Sequence, residues 1–262
     1  MLQRYALFFD IDGTLVSFDT HEIPPSTILA LTQAKANGSR VYIATGRPPI
    51  IITNLGAIEH LIDGYITTNG ALCFVGDKLV SCLPIDKRDV LTCVDDCQEK
   101  GYGLIVVGRQ DVAVLDPNGD VDRIFRQTLA VKNLDKAAPL ETVLQQDILQ
   151  LTPFFPPNYE PQLLTHMQHC ISGRWHPEFT DITAIGADKG KGILAMARHE
   201  GFDPSQTIAF GDGGNDTSMI LQAGIGIAMG NAIDSLKQQA DYVTTSVDDN
   251  GILNALRHFH II

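Results

Sequence analysis

The chain is short of positive charge. Its 262 residues carry 19 Lys and Arg against 31 Asp and Glu, a formal charge of −12. A general nucleic-acid binder needs a basic stripe, so the charge argues against that class. An anionic substrate is not, because a metal ion and a few cations make a single pocket locally positive. Cysteine is scarce too: Cys73, Cys82, Cys93, Cys97 and Cys170 are odd in number and lack metal-ligand spacing. Cys93 and Cys97 share a helical face, and the set is expected as buried free thiols. No apolar run approaches the roughly 20 residues that span a bilayer. The N-terminus has no basic region followed by a long apolar stretch, so no signal peptide is expected, and a cytoplasmic address follows. Internal repeats, low-complexity tracts and charge blocks are also missing. What remains is 44% hydrophobic and 19% charged residues, ordinary for a soluble globular protein. The length suits one large domain or two smaller ones.

Strand and helix patterns alternate in the first third. Strands are expected at Tyr5–Phe9, Arg40–Ala44 and Tyr65–Thr67, and a helix at Ser26–Asn37 stopped by Gly38. Pro48 opens a second expected helix carrying Ile51, Leu55 and Ile58. Leu72–Val75 and Leu79–Cys82 flank Gly76-Asp77 as a hairpin. A parallel sheet with an antiparallel extension follows. From about Pro84 the order becomes mixed: a helix over Asp86–Lys100, strands at Leu104–Val107 and Val112–Leu115, and a helix around Val121–Leu129. Strands at Ile148–Thr152 and Arg174–Thr183 then enclose a helix near Gln162–His169. This stretch reads as an α+β unit of its own. After Gly186 alternation returns, with helices near Lys191–Glu200, Asp216–Gln222 and Ala232–Gln239 and a last helix at the end. Between them lie strands at Thr207–Phe210, Ile225–Ala228 and Tyr242–Thr244. The expected domains are 1–83 with 187–262, and 84–186.

Chemistry concentrates where apolar strands stop. Phe8-Phe9-Asp10-Ile11-Asp12-Gly13-Thr14-Leu15-Val16 ends a buried run in two carboxylates, a costly place for charge unless a cation or donors compensate it. In extended chain Asp10 and Asp12 point to one face, and strand carboxyl ends are where open α/β sheets bind ligands. The alternative is an Asp-Gly turn. Ala44-Thr45-Gly46-Arg47 ends a second strand in a hydroxyl, a glycine and an arginine, suited to an oxyanion or simply to a loop cap. Gly211-Asp212-Gly213-Gly214-Asn215-Asp216 ends a third. Lys189 stands at a helix start, where the dipole disfavours a cation unless an anion is near. Lys191 is its rival for that role, and a solvated surface lysine is the plain alternative for both. Asn69-Gly70 reads first as a hairpin turn.

Taken in order, Asp10-Ile11-Asp12-Gly13-Thr14, Thr45-Gly46-Arg47, Asn69-Gly70-Ala71, Lys189-Gly190 and Gly211-Asp212-Gly213-Gly214-Asn215-Asp216 resemble the haloacid dehalogenase (HAD) superfamily. Within it they resemble the Cof-like phosphatases with a type IIB cap, similar to those acting on hexose phosphates. The resemblance covers nearly the whole chain. It implies an α/β fold, a Rossmann-like parallel-sheet core with an inserted α+β cap domain. It also implies Mg²⁺-dependent hydrolysis of small phosphorylated metabolites through an aspartyl-phosphate. Asp10 would be the nucleophile and Asp12 the acid and base. The metal set would be Asp10, the Asp12 carbonyl, Asp212 and, through its water shell, Asp216. Ile11, Thr45, Gly46, Lys189 and Asn215 would hold the phosphoryl group. Arg47, Asn69, Arg174, Trp175, His176 and Asp181 are candidates for substrate selection by the cap. Trp175 reads rather more readily as a cap-core aromatic than as a sugar-stacking ring, and His176 equally as a surface or structural residue. No nucleic-acid or membrane partner is implied, and the chain is expected as a monomer or weak homo-oligomer. A sugar phosphomutase is the rival within enzymes, and a phospho-accepting signalling receiver the rival outside them.

Overall fold

The computed structural model describes residues 4–128 and 134–262, the side chains of Thr128 and Trp175 aside. The chain divides into two compact units, one of residues 1–46, 54–82 and 188–262, the other of residues 47–53 and 83–187.

The first unit begins with β1 (Ala6–Phe9), α1 (Pro25–Ala36), β2 (Arg40–Ala44), β3 (Gly64–Thr67), β4 (Leu72–Val75) and β5 (Lys78–Cys82). The second unit follows with α2 (Lys87–Lys100), β6 (Gly103–Gly108), β7 (Val112–Leu115), α3 (Leu140–Val143), β8 (Ile148–Phe154), α4 (Glu160–His166), β9 (Cys170–His176) and β10 (Phe179–Ala184). The chain then rejoins the first unit through α5 (Lys189–Glu200), β11 (Thr207–Gly211), α6 (Thr217–Gln222), β12 (Ile225–Ala228), α7 (Asp234–Lys237), β13 (Tyr242–Val243) and α8 (Gly251–His258).

The first unit's sheet has the order β13-β12-β11-β1-β2-β3-β4-β5. It is parallel from β13 to β3, and β4 and β5 run antiparallel at one edge. Strand β1 lies near the middle and is buried throughout. Alternation decides its two faces. Ala6 and Phe8 join a core with Tyr42, Ile193, Met196 and Met219, beneath α5 and α6. There Phe8 stacks on Tyr42 at 4.9 Å between ring centroids. Phe9, one residue on and so on the opposite face, stacks on Phe210 at 4.7 Å. The register pairs Phe9 with Phe210 on one side and with Ile43 on the other. Asp10, Gly211 and Ala44 are therefore level, and all three chains leave the sheet at one end.

The second unit is antiparallel, with strand order β7-β6-β8-β10-β9. Helix α2 starts at Asp86, whose carboxylate accepts the Arg88 main-chain N–H at 2.9 Å, and ends where Gly101 takes a left-handed conformation. Its Val90, Cys93, Val94 and Cys97 cover one face of the sheet with Leu163 of α4. On the other face Ile105, Val107, Val112, Phe125, Phe154 and Phe179 form a second cluster.

Five local expectations are corrected. No α-helix follows Pro48. Residues Pro49–Ile51 make a single 3₁₀ turn, and Ile50 and Ile51 pack against the second unit's aromatic cluster. Two adjacent prolines and Gly56 break the helical pattern, and Ile51 is drawn into the second unit while Leu55 and Ile58 are buried in the first. Arg174–Thr183 is not one strand, because the chain reverses between His176 and Phe179 and forms a hairpin. Pro177 cannot donate to a ladder and marks that turn. The helix expected over Ala232–Gln239 shrinks to the single turn of α7. None of the five cysteines forms a disulfide, but only Cys73, Cys93 and Cys97 are fully buried. The helix expected around Val121–Leu129 is a π-helical segment over Asp122–Thr128, and Leu129 lies outside the described residues.

Candidate active site

The site is built at the carboxyl ends of β11, β1 and β2. Asp10 directly follows β1, and its main-chain N–H donates to the Phe210 carbonyl at 3.0 Å. The chain then folds back tightly: the Leu15 and Val16 N–H groups donate to the Ile11 carbonyl at 3.0 and 2.8 Å. Ile11 is wholly buried, so its side chain offers nothing to a ligand. Gly13 has φ +77°, and a Cβ there would overlap the Asp212 side chain, so the turn and the close approach of the β11 loop both require glycine. Thr14 donates to Asp212 Oδ1 at 3.2 Å. Asn231 donates to the Gly13 carbonyl at 2.8 Å and accepts the Val247 N–H at 3.0 Å. The tie through Asn231 left no trace in the sequence, because its partners are main-chain atoms far away in the chain.

Lys189 resolves the conflict posed by a cation at a helix start. Its side chain is fully buried, and Nζ donates to Asp10 Oδ1 and Asp216 Oδ1, each at 2.6 Å. The anion that compensates it is thus supplied by the protein itself. Lys191 is exposed and pairs with Asp188 one turn away at 3.4 Å. Burial alone would lower the Lys189 value, but Asp10 and Asp216 more than reverse this and hold it above the ordinary lysine range. Asp216 is spent entirely on the protein. Its second oxygen accepts the Asp212 and Gly213 N–H groups, each at 2.9 Å. Asp10 uses only Oδ1, and among the described residues Oδ2 accepts no hydrogen bond.

Carboxylate charge exceeds the compensation available. Asp10, Asp212 and Asp216 place oxygens within 4.8 Å of one another, with Asp12 adding a further negative field. Burial first, and then Asp216, push Asp10 well above the carboxylate range. The same two causes, in the same order, push Asp212 up to about 7. Three converging carboxylates, two of them buried, beside the Lys189 ammonium offer oxygen donors that suit a hard divalent cation.

The remaining wall comes from β2 and the turn after β3. Thr45 is buried, and its carbonyl accepts the Asn69 N–H at 3.1 Å. Asn69 Oδ1 in turn accepts from Asn215 Nδ2 at 3.2 Å, and both side chains border Gly46. Asn69-Gly70 is no ordinary hairpin turn: Thr68, Asn69 and Gly70 all have positive φ (49°, 52° and 93°). Such strained backbone concentrates at functional sites. The first unit therefore brings together Asp10, Ile11, Asp12, Thr45, Gly46, Asn69, Lys189, Asp212, Asn215 and Asp216. Phe18, exposed beside Gly13, carried no signal in the sequence.

The other substrate candidates belong to the second unit. Arg47 donates to the Ile51 carbonyl at 3.3 Å. Arg174 donates to Glu160 at 2.6 Å and to the carbonyls of His176, Pro177 and Phe179. Its guanidinium thus closes the β9–β10 turn. His176 stacks on Phe179 at 4.7 Å, and Asp181 accepts from Gln150 and Thr152 at 2.9 and 2.7 Å. The Trp175 side chain lies outside the described residues.

Comparison with known proteins gives one answer. Residues 7–256 match the haloacid dehalogenase-like hydrolase model. The solved structure of the HAD subclass IIB sugar phosphatase BT4131 is 46% identical, with a TM-score of 0.89 over 98% of this chain and 100% of that one. The phosphatase BT1666 from Bacteroides thetaiotaomicron is 31% identical, with a TM-score of 0.87 over 99% and 96%. The pyridoxal phosphate phosphatase YbhA of Escherichia coli (strain K12) is 30% identical over 89% of this chain and 90% of its own length. A parallel sheet whose strand ends gather four acids and a buried lysine is what such a relationship requires, and the chain belongs to the haloacid dehalogenase-like hydrolases as a phosphatase.

Proposed function

We propose that this phosphatase is Mg²⁺-dependent and hydrolyses sugar phosphates, hexose phosphates foremost, through an aspartyl-phosphate on Asp10. The carrying observation is the asymmetry of the Asp10 carboxylate: Lys189 pins Oδ1 at 2.6 Å, while Oδ2 accepts nothing among the described residues. A nucleophile needs one oxygen fixed and one available. Asp10, Asp212 and the main-chain carbonyl of Asp12 would hold the ion, and Asp216, both of whose oxygens are engaged, would support it indirectly. Bound there, Mg²⁺ offsets the repulsion between Asp10 and a phosphate dianion.

Asp10 Oδ2 attacks phosphorus as the bond to the sugar oxygen breaks, and Asp12 gives that oxygen its proton. Asp12 then takes a proton from water, the water oxygen attacks the phosphorus, and Asp10 leaves as the carboxylate. Lys189, the Thr45 hydroxyl, the Gly46 and Ile11 main chain and the Asn215 amide hold the non-bridging oxygens as charge develops. The choice of sugar substrates is supported by the 46% identical relative, itself a sugar phosphatase. The test is turnover of p-nitrophenyl phosphate and a panel of phosphorylated metabolites with Mg²⁺. Asp10→Asn is expected to abolish turnover, and a variant with near-normal activity would sink the assignment.

A further inference from the structure

Three residues in a row after β3 leave the right-handed half of conformational space: Thr68, Asn69 and Gly70 have φ of 49°, 52° and 93°. Glycine takes such values freely and asparagine tolerates them, but a β-branched threonine does so only against steric resistance. A two-residue hairpin loop needs positive φ at no more than two positions, and it seats Asn or Gly there. Thr68 is also wholly buried, and among the described residues its hydroxyl oxygen has no hydrogen-bond partner. Neither feature helps a turn to form. What the turn achieves is the placement of Asn69.

Contacts within the first unit fix that placement. The Asn69 main-chain N–H donates to the Thr45 carbonyl at 3.1 Å. Gly70 lies so close to the Asp188 carbonyl, just before α5, that no Cβ fits between them. The Asn69 side chain then rests over Gly46, where a Cβ would lie 3.0 Å from Asn69 Oδ1 and 3.5 Å from Asn215 Nδ2. Asn215 Nδ2 donates to Asn69 Oδ1 at 3.2 Å. Asn215 is exposed on a glycine-rich loop, and among the described residues its side chain makes no other hydrogen bond. An amide nitrogen carries two N–H groups. The one held by Asn69 fixes the amide plane and keeps the nitrogen, not the oxygen, on the side of Gly46. The second is left for a ligand.

We propose that Asn69 is a positioning residue: it does not read the sugar but orients the Asn215 amide so that its second N–H meets the transferring phosphoryl group. This role rests on the phosphoryl contact proposed for Asn215. Donors set in place beforehand stabilise developing charge because they need no reorientation as the reaction proceeds. Released from Asn69, the exposed Asn215 side chain would rotate, and in part of the population its carbonyl oxygen would face the phosphate. An acceptor there repels the anion instead of binding it.

The test is turnover of p-nitrophenyl phosphate by the full-length protein with Mg²⁺, because this substrate carries a phosphoryl group and no sugar. Asn69→Gly removes the side chain while suiting the left-handed backbone, so circular dichroism and the unfolding midpoint should match the parent. Its kcat/KM should fall about fivefold to tenfold, mostly in kcat, the effect of one neutral hydrogen bond. Asn215→Ala should lose about tenfold or more, since its donor meets charge. The double variant should be no slower than Asn215→Ala, because Asn69 acts through Asn215 and the losses do not add. Parental turnover by Asn69→Gly would overturn the proposal and leave Asn69 to the sugar. Losses that multiply in the double variant would overturn it as well, and both results leave the phosphoryl contact of Asn215 standing. An unimpaired Asn215→Ala would remove that contact, and the role of Asn69 with it.

Discussion

Lys189 gives up its hydration to sit between Asp10 and Asp216, and the arrangement holds because two charge-assisted hydrogen bonds replace the lost water. Removing one member of such a buried cluster leaves charge unpaired, which typically costs about 3–5 kcal/mol. Lys189→Met is therefore expected to lower stability by about that amount in urea unfolding with chelator present, and to abolish turnover. Asp212 gives a pH dependence of definite sign. Its folded value of about 7 lies above the ordinary 3.8, so between those limits the native state binds more protons than the unfolded one. Stability of the metal-free protein should fall as pH rises from about 4 to about 7 and level off above. Asp212→Asn should flatten that decline and gain about 1–3 kcal/mol at pH 8 in chelator, while losing Mg²⁺-dependent activity. Unfolding midpoints measured from pH 4 to 8, with and without Mg²⁺, check both statements.

At the scale of elements, the structure reassigns residues whose chemistry drew attention in the sequence. Arg174 looks like a substrate contact as one cation beside a tryptophan and a histidine. In the fold it pairs with Glu160 and caps three carbonyl groups of the β9–β10 turn. Arg174→Ala is accordingly expected to cost about 3–5 kcal/mol of stability, the range for breaking a largely buried pair. Ratios of kcat/KM among sugar phosphates should stay unchanged; altered ratios at intact stability would return Arg174 to the substrate. The turn after β3 makes the opposite case. Gly70 has φ +93°, and a Cβ there would run into the Asp188 carbonyl at the start of α5. Gly70→Ala should displace the helix that delivers Lys189 and lower kcat more than it raises KM. Asn-Gly in the sequence signals a turn, but not one that leans on a helix more than a hundred residues later.

The whole molecule joins an acidic surface to a site short of cations. Its formal charge of −12 offers nothing to a polyanion, whereas Asp10, Asp212 and Asp216 converging beside Lys189 leave room for a divalent ion. Chelation is expected to abolish turnover and Mg²⁺ to restore it. Product analysis should show free phosphate released one for one with sugar phosphate consumed, and an isomeric sugar phosphate would indicate a mutase instead. No described helix is long and apolar enough to cross a membrane.

The succession of elements and the acids at strand ends follow from the sequence because they depend on local chemistry: apolar runs that stop, glycines that turn, helices that alternate. The parallel sheet with its antiparallel edge was readable on those grounds, as were the positions of most helices. Where a pattern had two physical outcomes, only packing chose between them. Ile51 was taken up by an aromatic cluster of the second unit rather than by a helix of the first. Lys189 and Asp10 stand 179 residues apart, and no local rule joins them at 2.6 Å. The sequence alone determined which residue types would reach the strand ends. The tertiary structure decided which oxygen of Asp10 is held by Lys189 and which accepts no hydrogen bond among the described residues, because that depends on distances between elements far apart in the chain.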